Sequence, residues 1–261
     1  MPSVASMSEN PWFLGDLGKL AAHLPPVYAE RLCEELDLRP GERVLDAAAG
    51  TGVVSVTAAR RFCEVTAVDL VPAYLDQARE LAAREGLPLA VRVADVQELP
   101  FDDGSFDAAV STFGVMFAAD PERAAGELRR VTRGRIGLTA WTPDGVIAEY
   151  ARTIAKHLQA SPPPRSPFAW GTEEGLRELF DGCDIRTAGR RQPFRYPSAA
   201  QAVDAFRQWY GPAKAAFAVL PEDRREAMRE DMIGVWEAHN RSDDGTLVVD
   251  ADYLEAVVEP L

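Results

Sequence analysis

Apolar residues fall in short continuous runs that alternate with stretches of helical spacing. Arg43 to Leu45, Glu64 to Val68, Leu89 to Val93, Phe106 to Ser111 and Arg135 to Trp141 read as strands. Between them, Val53 to Phe62, a stripe of Leu75, Ala78, Leu81 and Ala82, and Pro121 to Val131 read as helices. Pro72 suits a first helical turn, Asp120 suits an N-cap, and Gly86 supplies a stop. The pattern predicts an α/β fold: a Rossmann-like, doubly wound, mostly parallel sheet of seven strands with helices on both faces.

The flanks read differently. Residues 1 to about 18 form an arm whose large apolar residues are Trp12 and Phe13. Helical spacing runs from Leu20 to Leu36, with Val27, Leu32 and Leu36 expected inside and Pro25-Pro26 as a break. After the fifth strand come a helix over Gly145–Gln159, a stiff Ser161–Pro164 connector, a helix over Thr172–Phe180 and a strand over Asp184–Tyr196. Helices over Ala199–Tyr210, Pro212–Val219 and Glu222–Asn240 precede extended stretches at Thr246–Val249 and Tyr253–Val258. The expected organisation is an arm with helices (1–40), a Rossmann-like core (41–196), a helical cap insertion (197–245) and a final strand returning to the core (246–261).

Composition narrows the partners. With 47% apolar residues in 261, a large core is feasible. A net charge of -13 repels nucleic acid and anionic membrane, so neither is expected as a partner. Cys33, Cys63 and Cys183 show no C-x-x-C spacing, which leaves no readable zinc site and points to a reducing compartment. No apolar run reaches membrane-span length, and Met1–Asn10 lacks the basic-then-apolar order of a signal peptide. A cytoplasmic location is expected.

The candidate chemistry sits at Val44-Leu45-Asp46-Ala47-Ala48-Ala49-Gly50-Thr51-Gly52. This is strand, small-residue turn, then helix, with helix-start amides offering partial positive charge. A dinucleotide turn needs G-x-G-x-x-G, and here Ser55 stands in the third position. An aspartate at the tip also repels a pyrophosphate, whereas a cationic nucleoside such as S-adenosylmethionine suits it. The second and third runs also end in acids, Asp69 and Asp95, which places three carboxylates along one sheet edge where such folds bind ligands.

At these residues the chain resembles the class I S-adenosylmethionine-dependent methyltransferases, in their small-molecule, ubiquinone-methyltransferase-like branch. The resemblance rests on Val44–Gly52, Val68-Asp69-Leu70, Ala94-Asp95-Val96 and Leu99-Pro100-Phe101-Asp102-Asp103-Gly104-Ser105-Phe106-Asp107, and spans roughly residues 30 to 145. It implies S-adenosylmethionine as cofactor. Asp46 with Ala47 and Ala48 would order the turn. Gly50, Thr51 and Gly52 would meet the methionine part, Asp69 the ribose hydroxyls and Leu70 the adenine. Asp95 and Val96 would hold and cap the adenine, and Ser111 and Thr112 would border the methyl. One departure is Ala48, where the family carries glycine; a backbone angle that a Cβ permits is expected there.

The acceptor is expected beyond the fourth and fifth strands, among Phe113, Met116, Phe117, Trp141 and Tyr150. Methyl transfer needs a base only if the acceptor must lose a proton. No catalytic signature is readable, and no acid–histidine spacing would bind a metal. His157 and His239 read as helix-end histidines, and His23 lies in the segment that can cover the site. Two alternatives stay open: a methyltransferase-fold enzyme performing a non-methylating cyclisation or elimination, and a nicotinamide-dependent oxidoreductase. The exposed face of Leu20–Leu36 can pair two copies as a homodimer or pack within one.

Overall fold

A computed structural model describes residues 10–260. The first nine residues, which carry the expectations for the start of the arm and for the leader, lie outside the described residues, as does Leu261. In chain order the elements are α1 (Leu17–Ala21), α2 (Val27–Glu35), β1 (Arg43–Ala47), α3 (Val53–Ala59), β2 (Glu64–Asp69), α4 (Pro72–Arg84) and β3 (Ala90–Val93). Then follow β4 (Phe106–Thr112), α5 (Pro121–Val131), β5 (Thr132–Trp141), α6 (Val146–Leu158) and α7 (Glu173–Leu179). The chain closes with β6 (Cys183–Tyr196), α8 (Ala199–Trp209), α9 (Gly211–Val219), α10 (Glu222–Ala238) and β7 (Leu247–Pro260).

The seven strands form one sheet in the order β3-β2-β1-β4-β5-β7-β6. The first five pair in parallel, and β7 runs antiparallel to β5 with Trp141 opposite Tyr253. Chain order reverses between β1 and β4, the topological switch point where open α/β sheets offer a crevice. The fold is therefore the Rossmann-like α/β architecture that the hydrophobic pattern predicts.

Two compact units share the chain. The first comprises residues 26–143, 165–190 and 253–260 as described, and it holds β1 to β5. The small residues of the strands, such as Ala67, Ala108 and Ala109, are wholly buried beneath the helices. The Leu99–Asp107 stretch is pinned from α5, since Glu127 accepts from the Leu99 amide at 2.7 Å and Arg130 donates to the Leu99 and Phe101 carbonyls. The second comprises residues 10–25, 144–164 and 191–252, and its helices α6, α8 and α10 enclose Tyr150, Phe206, Met228, Met232 and Trp236.

Some expectations shift in detail. The Leu20–Leu36 helix is two helices, because Pro25-Pro26 stops the first and starts the second. That restart sets the phase of α2: Tyr28, Leu32 and Leu36 point inward, and Val27 is 46% exposed rather than buried. The last two extended stretches are one strand, β7. β5 begins at Thr132, directly where α5 ends, with no linking residues. The register of β5 on β4 shifts there, from Phe106↔Thr132 to Ala108↔Arg135. A bulge absorbs Arg133 and Gly134, and a Cβ on Gly134 would lie 2.2 Å from the Asp107 carbonyl oxygen.

Candidate active site

β1 delivers Asp46 to its tip with no solvent exposure. Ser55, one turn into α3, donates its hydroxyl to Asp46 Oδ2 at 2.5 Å. Oδ1 is buried with no hydrogen-bond partner among the described residues. Burial pushes the Asp46 carboxyl up to about 7, Ser55 pulls it back, and the Asp69 charge pushes it further up. Ser55 was legible only as a missing glycine; its role as the holder of Asp46 depends on the helix phase.

The turn after β1 is held from β2. The Ala49 amide donates to the Val68 carbonyl at 2.9 Å, and the Gly50 amide donates to Asp69 Oδ2 at 2.8 Å. Asp69 Oδ1 accepts from the Val71 amide at 2.9 Å. Asp69 thus clasps the β1 turn to its own strand end, and each oxygen keeps a lone pair for a further donor. Burial raises its carboxyl above the ordinary range, opposed by these backbone donors. Thr51 and Leu70 lie half-buried on either side of the clasp.

The backbone of the turn is left-handed at Ala48 (φ 55), Gly50 (φ 54) and Gly52 (φ 79). Ala48 therefore departs from expectation: its Cβ is carried in the region that favours glycine, at a cost of about 1–2 kcal/mol. Gly114 makes room for it, since a Cβ there would meet the Ala48 carbonyl oxygen at 2.5 Å and the Ala48 Cβ at 2.7 Å. Gly52 is required by packing, because a Cβ there would lie 2.6 Å from Ala78 Cβ on α4.

β2 and β3 pair Asp69 with Val93, so Asp95 follows just beyond the next tip. Its Oδ1 accepts from the Gln97 amide and from Gln97 Nε2, both at 2.9 Å. The Gln97 side chain also accepts from the Asp120 amide at 2.7 Å, which joins this loop to the start of α5. Gln97 was not read from the sequence; an amide two residues after a loop acid is too common a spacing to signal a partner. Val96 is buried beside it.

At the tip of β4 the outcome is mixed. Ser111, expected beside the methyl, is fully buried, donates to the Ala47 carbonyl at 2.7 Å and accepts from the Val115 amide at 3.0 Å. Its hydroxyl is used in holding β1 to β4, so only the rest of the residue is free to border a ligand. Thr112 is half-buried one residue further on. Phe113 has a left-handed backbone (φ 56), a strained conformation for a bulky residue. Its ring stacks on Trp141 with centroids 3.9 Å apart and meets Tyr28 and Tyr253 edge-on at 5.3 Å. Burial raises the Tyr28 phenol to about 12, with the Asp46 charge adding to the effect.

Of the remaining expected residues, Met116 is buried and Phe117 half-buried in a short turn over Val115–Phe117. Tyr150 lies in the second unit, wholly buried against Phe206 and Trp236. Among the histidines, His157 meets Asp231 at 2.9 Å and His239 meets Glu149 at 2.8 Å, both at helix ends. The exposed His23 donates from Nδ1 to the Lys19 carbonyl at 2.8 Å.

The donor and acceptor inventory fits an adenosyl sulfonium. An orphaned buried carboxylate oxygen on Asp46 wants a cationic donor, and Asp69 retains acceptor capacity for vicinal hydroxyls. Comparison with known proteins agrees. A family described as "Methyltransferase domain" matches residues 45–135. An uncharacterized protein of Mycobacterium tuberculosis is 39% identical over 220 residues, covering 82% of this chain and 80% of its own length. The demethylmenaquinone methyltransferase of Thermus thermophilus is 40% identical over 167 residues, covering 63% of this chain and 67% of its own. Among solved structures, the YcgJ protein of Bacillus subtilis shares the fold with a TM-score of 0.62 at 16% identity, covering 90% of this chain and 98% of its own.

Proposed function

Because the chain belongs to the class I S-adenosylmethionine-dependent methyltransferases, we propose that it methylates a small organic acceptor in secondary-metabolite biosynthesis. The cofactor supplies a methyl already activated on a sulfonium. What remains for the protein is alignment and exclusion of water. The observation that carries the reading is the joint placement of Asp46, the Gly50 turn and Asp69, tied by the Gly50-to-Asp69 hydrogen bond of 2.8 Å. In this reading Asp69 accepts from the ribose, Leu70 and Val96 line the adenine, Asp95 accepts from its amino group, and Asp46 faces the cationic end. Ala47, Ala48, Thr51, Gly52 and Thr112 shape the walls.

The stacked rings of Phe113 and Trp141 put apolar, aromatic side chains at the tips of β4 and β5. That surface suits an acceptor with a conjugated ring, and the relative named for demethylmenaquinone fits the same class. We take the compartment to be the cytoplasm, which the three free thiols favour.

Titration calorimetry with S-adenosylmethionine tests the reading. The wild type should bind, and Asp69→Ala should lose on the order of 1.5–3 kcal/mol of affinity for one lost charge-assisted pair. No heat at millimolar cofactor would refute it. Product mass then separates methyl transfer, which adds one methylene, from cyclisation, which adds nothing.

A further inference from the structure

Of the three acids at the sheet edge, Asp46 has the fewest partners. Asp69 accepts from the Gly50 and Val71 amides, and Asp95 accepts from the Gln97 amide and side chain. Asp46 has no solvent exposure, one neutral donor in the Ser55 hydroxyl, and an Oδ1 with no partner among the described residues. In the sheet it lies between Ala67 of β2 and Val110 of β4, which carry no charge. The charge that reaches it from β2 is that of Asp69, of the same sign. From α2, Tyr28 and Cys33 sense its charge, and burial above all pushes each up to about 12, so both are neutral. Arg61, which acts on Cys33, pairs with Glu30 and Glu34. Among the described residues no lysine, arginine or histidine pairs with Asp46.

A carboxyl group so placed keeps its proton until a positive charge arrives. Burial without a counter-ion disfavours the ionised form, and a cation in the same water-poor surroundings favours it. In the ligand-free chain the carboxyl stands at about 7, so a modest field decides its state. The cofactor and its demethylated product differ in that field. S-adenosylmethionine sets a sulfonium and an ammonium against one carboxylate and has a positive charge in excess. S-adenosylhomocysteine has lost the sulfonium, and its ammonium and carboxylate cancel.

We propose that Asp46 is a proton-linked selector: it ionises when the cationic cofactor occupies the turn beside it and stays protonated when the neutral product does. The proposal rests on the reading of the chain as an S-adenosylmethionine-dependent methyltransferase and adds to it a means of telling cofactor from product. In transfer, the bond from sulfur to the methyl breaks with its electron pair left on sulfur, and the bond from the methyl to the acceptor forms. The positive charge leaves the turn with the methyl, and Asp46 regains a proton from water. The sign follows by linkage. Below about 7 the cofactor must displace a proton in order to bind, so its affinity falls with pH while that of the product holds.

Calorimetry on the whole chain tests this, with both ligands titrated in buffers of different ionisation enthalpy. The window runs from about pH 5.5 to about pH 7, where the amino groups of both ligands keep their protons. At about pH 6 the wild type should release about one proton per S-adenosylmethionine bound and almost none per S-adenosylhomocysteine. From about pH 7 to about pH 5.5 the cofactor should weaken on the order of tenfold, and the product less than about twofold. Asp46→Asn should bind the cofactor with no proton released and no such slope. Ser55→Ala removes the donor to the ionised form and should move the slope to higher pH. A purely structural role for either side chain would leave the proton count unchanged.

Equal proton release for the two ligands in the wild type overturns the proposal, whatever the variants do. Full release retained in Asp46→Asn overturns it as well. Binding of S-adenosylmethionine without proton release sinks the selector and spares the methyltransferase reading. Binding of neither ligand at any pH sinks both.

Discussion

Asp46 carries its carboxyl where charge is costly, and the sign of its effect can be worked out. In the folded chain it holds its proton up to about 7; in the unfolded chain it releases it near about 4. Between those values the unfolded state gains by ionising and the folded state does not. Stability of the ligand-free protein therefore falls as pH rises from about 4 to about 7 and levels off above, with a contribution on the order of 4 kcal/mol. Asp46→Asn should flatten that slope while weakening S-adenosylmethionine. Urea unfolding at about pH 5 and about pH 8 measures it, and an identical slope in both proteins would clear Asp46 as the source. At Ala48, relief of the left-handed backbone is opposed by the freer unfolded glycine. Ala48→Gly should thus gain between zero and about 1 kcal/mol. Gly114→Ala should lose about 3 kcal/mol or more, and Ala48→Gly should not rescue it, because the clash at 2.5 Å is with the Ala48 carbonyl oxygen. The acids at the tips were legible from the sequence because a charge ending an apolar run stands out. Their partners Ser55 and Gln97 were not, since nothing local distinguishes them from ordinary polar residues.

Between elements, two glycines make contrasting demands. A Cβ on Gly52 would lie 2.6 Å from Ala78 Cβ of α4 at a φ of 79, and neither the backbone nor a methyl can yield. A Cβ on Gly137 of β5 would lie 2.5 Å from Leu36 Cδ1, 3.0 Å from Leu36 Cγ and 3.1 Å from Leu32 Cδ1, all atoms of flexible side chains that can shift. Gly52→Ala should cost about 2–5 kcal/mol, and Gly137→Ala no more than about 1.5 kcal/mol, in chemical denaturation. Comparable losses would mean that the seat of α2 on β5 is as rigid as that of α3 on α4. Strand and helix existence could be read from periodicity because each strand here is short, apolar and bounded by turn residues. Phase was harder to read. The restart after Pro25-Pro26 turned Val27 outward and Tyr28 inward, and the strand expected from Arg135 starts at Thr132 through a bulge.

For the molecule as a whole, the acidic balance predicts self-repulsion. Raising salt from about 10 mM to about 150 mM shortens the Debye length from about 30 Å to about 8 Å. The thermal midpoint should rise by a few degrees over that range; a flat or falling midpoint would show that the ion pairs outweigh the excess charge. The mostly parallel, doubly wound sheet could be anticipated from alternation, and its candidate ligand edge from three acid-tipped runs. The make-up of the second unit could not, because it gathers pieces from three distant parts of the chain, which periodicity does not link. Tyr150 shows the consequence: it was expected with Phe113 and Trp141 around the acceptor, and its neighbours are Phe206 and Trp236 of the second unit. The direct passage from α5 into β5 bears on how this chain can change over time. Elsewhere a gained or lost residue vanishes into a loop. Here a single insertion or deletion would slide the strand by one position, sending Trp141 and Thr139 to the opposite side of the sheet. Descendants of this gene should therefore keep the residue count at that joint, and Gly134 with it, while the exposed Arg133 varies.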